Sequence, residues 1–249
     1  MALSDLFKKK EKNPAAAIDL TKNPELNRKI SLRKDIVIDE VKRQNISSDT
    51  ARVVFILDHS GSMRKMYRDG TVQEVLERIF PIAMHFDDNG ELEFYWFDSV
   101  FKELEPVTAG NLEGYVNNVI LSANDHFGGT NYAPVMHEIT ERYAVREPAP
   151  IPTFVIFLTD GNNADKRAAK DELIRASGFN IFWKFVGMGN EKFDFLAKLD
   201  DLDGRFIDNA NFIRIADAAA ADERELYSLL LTEYGGWLGL CRANGITVG

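Results

Sequence analysis

Residues 53–62 read Val-Val-Phe-Ile-Leu-Asp-His-Ser-Gly-Ser, an apolar run followed directly by polar residues. Its five consecutive apolar side chains predict a strand that is buried on both faces, as in a parallel sheet covered by helices. A second run of this kind, Phe154–Leu158, is followed by Thr-Asp-Gly. The sequence therefore predicts two central strands, each followed at once by polar residues.

The segments around these two strands alternate amphipathic and apolar patterns. Val72–Phe86 has apolar residues at helical spacing, and Glu91–Phe97 has the composition of a strand. Such alternation predicts a doubly wound α/β fold, in which a mostly parallel central sheet of about six strands has helices on both faces. Shorter predicted elements are an edge strand near Val100–Glu103, a last strand at Arg205–Ile207 and a closing helix at Glu223–Glu233.

The first 30 residues differ in composition from the rest of the chain. They are polar and rich in Lys and Asn, and they contain Pro14 and Pro24. This composition predicts a flexible leader over residues 1–30, followed by one domain over residues 31–249. Residues 1–50 carry 11 Lys and Arg against 8 Asp and Glu, whereas the remainder carries 19 against 31. The excess of acidic residues after residue 50 would repel a phosphate backbone, which argues against nucleic acid as a partner.

The composition is that of a globular protein rather than a membrane protein. Apolar residues make up 45% of the 249 residues and charged residues 28%, as in ordinary globular domains. No apolar run approaches the roughly 18 residues of a membrane span, and no secretory signal is visible at the N-terminus. The one cysteine, Cys241, fits a reducing compartment. We therefore expect a cytoplasmic protein without a membrane span.

Three polar clusters follow strands or enter helices at one predicted edge of the sheet. In an open α/β sheet, ligands bind at the carboxyl ends of the strands. Two carboxylates and three hydroxyls converge there: Asp58, Ser60, Ser62, Thr130 and Asp160. An all-oxygen set favours a hard cation, which we expect to be Mg²⁺, with Mn²⁺ or Ca²⁺ as alternatives. Gly61 is expected to permit a tight backbone path, and Gly128-Gly129 a close approach of the third loop.

Other interpretations of these residues remain open. Asp and Ser after a strand are common turn formers, although three such clusters in this order are hard to explain as turns. A metal-dependent hydrolase or phosphatase-like enzyme is one alternative, but a phosphatase of the haloacid dehalogenase type needs a second acid at the position of Ser60. A second alternative is a purely structural metal, which would rigidify the loops without binding a partner. Asp200, Asp201 and Asp203 lack the full calcium-loop pattern and are interpreted as a solvated turn.

These motifs resemble those of a known family. Val53–Met63 resembles the opening of a von Willebrand factor A (vWA) domain, and Thr130 and Asp160 complete a match to its metal-ion-dependent adhesion site. Further stretches resemble the bacterial tellurium-resistance type of this domain: Val72–Arg78, Phe86–Leu92, Gly129–Met136, Lys198–Arg205 and Gly236–Leu238. The similarity extends from about Ser31 to Ile246.

The resemblance implies a vWA fold and a role in recognition rather than catalysis. It implies that Ser60, Ser62 and Thr130 bind the cation directly or nearly so, while Asp58 and Asp160 bind it partly through water. An acidic residue of a partner protein would then complete the coordination shell. The family implied by these stretches acts in stress resistance, toward tellurite or other toxic agents.

Overall fold

The computed structural model describes residues 23–47, 50–87, 89–123, 126–217 and 219–248. The strands are β1 (Arg52–Asp58), β2 (Leu92–Phe97), β3 (Phe101–Val107), β4 (Thr153–Thr159), β5 (Ile181–Met188) and β6 (Ala210–Ile215). The α-helices are α1 (Pro24–Arg43), α2 (Arg64–Arg68), α3 (Thr71–Phe86), α4 (Ala133–Thr140), α5 (Lys166–Ala176), α6 (Asp194–Asp200), α7 (Glu223–Leu231) and α8 (Tyr234–Ala243). Shorter helical turns lie at Gly61–Met63, Val116–Leu121 and Glu141–Arg146.

Within the described residues, six strands form one sheet in the order β3-β2-β1-β4-β5-β6. All neighbouring pairs are parallel except β2 and β3, which pair antiparallel. The two apolar runs quoted above, β1 and β4, are adjacent at the centre of the sheet. This topology confirms the predicted doubly wound α/β fold. From β1 the strand order runs outward to β2 and β3 on one side, and the next strand, β4, lies on the other side of β1; folds of this type bind their ligands at such a switch point.

Side chains of β1 alternate between two hydrophobic cores, one on each face of the sheet. Val53, Phe55 and Leu57 enter the core that includes α1, α3, α7 and α8. Val54 and Ile56 enter the core that includes α4, α5 and α6. Because both faces are covered, the strand is apolar without interruption, as its sequence predicted.

Helix α1 covers the outer side of α3 and α7. It begins after Asn23, whose side chain accepts hydrogen bonds from the first backbone amides of the helix. Residues 24–30, which the sequence assigned to the leader, form its first turns, and Leu26 and Ile30 are buried. Arg33 is buried as well and binds Glu74 of α3 and Glu223 of α7. Residues 1–22 of the predicted leader lie outside the described residues.

The C-terminal part of the fold differs from the sequence prediction. The last strand is Ala210–Ile215 rather than Arg205–Ile207. Arg205 lies instead in the preceding loop, where its guanidinium donates to the carbonyl oxygens of Asp200 and Leu202. After α7 the chain forms a further helix, α8, to which the sequence analysis assigned no element. Within the described ranges, no helix combines the length and apolar character needed to cross a membrane.

Candidate metal centre

The candidate centre lies where β1 and β4 end side by side. Asp58 is the last residue of β1, and Asp160 directly follows β4. Leu57 of β1 pairs with Leu158 of β4, so the two acids leave the sheet at the same edge. Parallel pairing of two buried strands thus brings together residues that are about a hundred positions apart in the sequence.

The Asp58 carboxylate is buried and held at both oxygens. Oδ1 accepts a hydrogen bond of 2.7 Å from the backbone amide of Ser60, and Oδ2 accepts one of 2.5 Å from the hydroxyl of Thr159. The Tyr67 hydroxyl donates to the Asp58 carbonyl oxygen at 2.9 Å. The carboxylate is therefore oriented by its surroundings before any ligand binds.

A row of hydrogen-bonded polar groups connects the end of β1 to the end of β4. The hydroxyls of Ser60 and Ser62 are 3.0 Å apart, and the Ser62 hydroxyl donates to Asp160 Oδ1 at 2.8 Å. Ser60 is buried, whereas Ser62 is exposed and Asp160 is half-buried. The structure thus brings Asp58, Ser60, Ser62 and Asp160 into one polar cluster that opens to solvent.

Thr130 reaches the same edge through backbone contacts of its loop. Ser60 forms a parallel bridge with Gly128, and the Gly61 amide donates to the Gly128 carbonyl oxygen at 3.1 Å. On the other side, the Ala164 amide donates to the Thr130 carbonyl oxygen at 2.9 Å. The loop of Thr130 is therefore fixed between the loops that follow β1 and β4.

The glycines of the centre are not equivalent. A Cβ on Gly128 would lie 2.4 Å from Oδ2 of Asp98, which directly follows β2, so a larger residue would force the Asp98 side chain or the loop to shift. A Cβ on Gly61 would come no closer than 4.0 Å to the Gly128 carbonyl oxygen. The φ angle of Gly61 is not positive, so its backbone conformation does not require glycine. The close approach predicted for Gly128 is present, whereas the steric requirement predicted for Gly61 is absent.

The electrostatics of the centre favour a cation. Burial raises the pKa of Asp58 to about 6, and the negative charge of Asp160 adds to this increase. Burial also raises the pKa of Asp160. Both carboxylates are therefore costly to ionise without a positive charge nearby, and a dication would supply that charge. Two carboxylates with neighbouring hydroxyls are the donor set of a hard cation, so these residues fit Mg²⁺.

Acids elsewhere in the described part of the chain do not form a comparable group. No cluster of three or more His, Cys, Asp or Glu residues suited to a metal was found there. Asp200, which the sequence placed in a solvated turn, ends α6 and accepts a hydrogen bond from the Phe212 amide at 3.2 Å. The candidate centre accordingly depends on hydroxyl groups as well as carboxylates.

His59 faces away from the cluster. It is fully buried and stacks on Phe127 with ring centroids 4.2 Å apart, with Trp96 and Tyr67 beside it. This orientation agrees with the alternation of side chains along an extended segment, in which His59 points away from its neighbours Asp58 and Ser60. An imidazole in this aromatic environment is not positioned to act as an acid or base at the cluster.

The supporting residues of the cluster were not singled out by the sequence analysis. Tyr132 donates from its hydroxyl to the Gly161 carbonyl oxygen at 2.7 Å and to Thr159 at 3.2 Å. The Asp165 carboxylate accepts from the amides of Tyr132 and Ala133 at 3.0 and 2.7 Å. Tyr132 lies two residues after Thr130, but its partners across the site cannot be inferred from that position alone.

Comparison with known proteins identifies the family. A family model described as vWA-TerF-like, a vWA found in the TerF C terminus, matches residues 50–247. The chain belongs to this family. Among the relatives of this vWA protein, the uncharacterized protein YcbR of Bacillus subtilis (strain 168) is 41% identical over 220 residues, which cover 87% of this chain and 89% of YcbR. Helix α1 precedes the region that the family model matches.

Solved structures share the vWA fold at low sequence identity. Proximal thread matrix protein 1 from the mussel byssus has a TM-score of 0.55 and 15% identity, and the match covers 74% of this chain and 48% of that one. Manganese-loaded TRAP protein of Plasmodium vivax has a TM-score of 0.50 and 16% identity, with coverage of 75% and 73%. The chain thus spans about half of the mussel protein's chain and most of the TRAP chain.

Proposed function

We propose that this vWA domain is a protein-interaction module that depends on a divalent cation, Mg²⁺, at the candidate metal centre. Asp58, Ser60, Ser62, Thr130 and Asp160 would hold the cation. The observation that carries this proposal is the polar cluster in which Ser60 and Ser62 link buried Asp58 at the end of β1 to half-buried Asp160 after β4. Carboxylates whose pKa values are raised by burial and that lie together at a sheet edge are typical of functional sites.

Related structures support a cation at this position. The mussel thread protein has been solved with a zinc-occupied MIDAS motif, the metal-ion-dependent adhesion site, and the TRAP protein has been solved loaded with manganese. We propose the same kind of site here, with an aspartate or glutamate of a partner protein as the additional ligand. The family name further suggests that the interaction serves resistance to tellurite or other toxic agents.

Calorimetric titration with Mg²⁺ tests the metal part of the proposal. Wild-type protein is compared with the Ser60→Ala/Ser62→Ala variant, which removes two oxygen ligands and adds no bulk. The Ser31→Ala/Ser122→Ala variant serves as a control, because both serines are exposed and their hydroxyls donate to the Asn27 and Asn117 carbonyl oxygens rather than to any residue of the centre. We expect cation binding by the wild type and the control and its loss in the first variant. Equal heats for all three proteins would contradict the assignment.

A pull-down from lysate of the source organism tests the binding part. Wild-type protein and the Ser60→Ala/Ser62→Ala variant are each used with Mg²⁺ and with EDTA. A protein retained only by the wild type with Mg²⁺ supports metal-dependent recognition. If EDTA lowers the melting temperature but leaves every retained protein in place, the metal is structural. Turnover of a phosphate ester that requires Mg²⁺ and both serines would instead favour an enzyme.

A further inference from the structure

A groove between α5 and α6 concentrates positive charge on an acidic protein. It has a volume of about 510 Å³. Its lining, which we call the basic groove, contains four cationic side chains, one carboxylate and one aromatic ring: Lys166, Arg167, Lys170, Lys198, Asp194 and Phe195. The chain as a whole carries a net charge of −9. The basic groove therefore has the opposite sign to most of the molecule.

The cations of the basic groove are available to a ligand. Within residues 126–217, which are all described, none of the four forms an ion pair with a carboxylate. Arg175 at the other end of α5 is different, because Glu141 and Glu172 neutralise it. The Lys166 ammonium lies 5.8 Å from the ring centre of Phe195, which forms a buried floor. Four cations that line one groove, one of them over an aromatic ring, favour an anion whose stem is apolar.

The basic groove is continuous with the surface beside the candidate metal centre. A wider depression runs from Asn163 to Asp171 and shares Lys166 and Arg167 with the basic groove. Ala164, in the wall of this depression, is bonded through its amide to the Thr130 carbonyl oxygen. A polypeptide that binds at the metal can therefore extend along the loop after β4 toward α5 and α6.

We propose that the basic groove binds an acidic segment of the same partner protein that gives a carboxylate to the metal. This inference rests on the proposed function. Glutamate side chains combine an anionic end with an apolar stem, which suits the four cations and Phe195. A nucleic acid is disfavoured, because Phe195, the aromatic ring of the basic groove, is buried and offers no face on which a base can stack.

The test measures binding of fluorescein-labelled decaglutamate by fluorescence anisotropy, with Mg²⁺ and with EDTA. Lys170→Glu/Lys198→Glu reverses two charges in the basic groove. Lys42→Glu/Lys102→Glu makes the same change in net charge at exposed positions on α1 and β3. We expect the first variant to bind about tenfold more weakly than wild type, equivalent to about 1.4 kcal/mol. The control should stay within about twofold, since charges beyond a Debye length are screened.

The outcomes separate this inference from the proposed function. If Lys170→Glu/Lys198→Glu binds the peptide as tightly as wild type, the basic groove is not the binding site. The metal proposal is still supported in that case if Mg²⁺ strengthens binding. A different result is that the affinity for the peptide falls in that variant and is the same with Mg²⁺ and with EDTA. That result would support the basic groove as the binding site and would contradict a metal bridge to this peptide. Tighter binding of labelled oligothymidylate, lost in the same variant, would overturn the assignment to an acidic polypeptide.

Discussion

Replacing Gly128 by alanine should weaken cation binding while leaving the fold intact. The new Cβ would lie 2.4 Å from Asp98 Oδ2, whereas ordinary contacts begin at 3.4 Å, so one of the two has to move by about 1 Å. Asp98 cannot move easily, because it is buried, its carboxylate accepts from the Val100 amide, and its carbonyl oxygen accepts from the Asn131 amide. The displacement therefore falls on the loop that carries Thr130.

The displaced loop is also bonded to the loop after β1. The Gly61 amide donates to the Gly128 carbonyl oxygen, and Ser60 forms a bridge with Gly128. A shift at Gly128 therefore disturbs two of the three loops at the metal centre. Mg²⁺ tolerates little departure from octahedral geometry, and loss of support for metal ligands typically lowers affinity 10- to 100-fold. We expect a loss in this range, or about 1.4 to 2.7 kcal/mol.

Calorimetric titration of Gly128→Ala with Mg²⁺ measures this loss, and circular dichroism checks the fold. Gly129→Ala and Gly61→Ala are matched controls. The nearest atom to a Cβ on Gly129 is the Ser99 hydroxyl at 2.8 Å, which can rotate away, and position 61 has free space. Both controls should bind Mg²⁺ within about threefold of wild type, because neither displaces backbone. Wild-type affinity in a folded Gly128→Ala protein would refute the role of this close approach.

Two further predictions concern stability, measured by urea denaturation. Arg33→Met should lower the free energy of unfolding by about 2 kcal/mol, because it leaves Glu74 and Glu223 without their shared buried cation. Lys29→Met is the control, because the ion pair of Lys29 is exposed. Equal losses of stability in the two variants would contradict this prediction. Burial lowers the pKa of Lys184 to about 7 from an ordinary value of 10.5, so between these pH values the unfolded chain binds the extra proton. Wild-type stability should therefore rise with pH across this window, by at most about 1.4 kcal/mol per unit, and Lys184→Met should lack this contribution. Parallel pH profiles for the two proteins would argue against it.

The central sheet and its polar edge were predictable because each depends on a local pattern. The runs Val53–Leu57 and Phe154–Leu158 are apolar without a break, and such runs identify buried parallel strands. Once both strands are parallel and adjacent, the residues that follow them must meet at one edge. Asp58 and Asp160 were therefore placed together by topology, without knowledge of any contact between them.

The remaining elements depend on partners that are distant in the sequence. Asn211 and Arg214 interrupt the apolar pattern of β6, so the last strand was assigned too early. Asn211 is polar because the Lys184 ammonium binds it, and the same ammonium donates to the carbonyl oxygens of Leu229 and Thr232 near the end of α7. The buried charge of Arg33 similarly obscured α1. Only the assembled structure shows which distant partners Lys184, Asn211 and Arg33 bind.

The charge of the proposed centre supports our proposal of an acidic partner. Asp58 and Asp160 together supply at most two negative charges, and the hydroxyl ligands supply none. A dication bound by this set leaves the site close to neutral, so an incoming carboxylate meets little repulsion from the ligands themselves. A third carboxylate among the ligands would make the occupied site anionic and would compete with the partner. Substituting Ser62 by aspartate should therefore strengthen cation binding and weaken partner binding, whereas a purely structural metal would predict only the first effect.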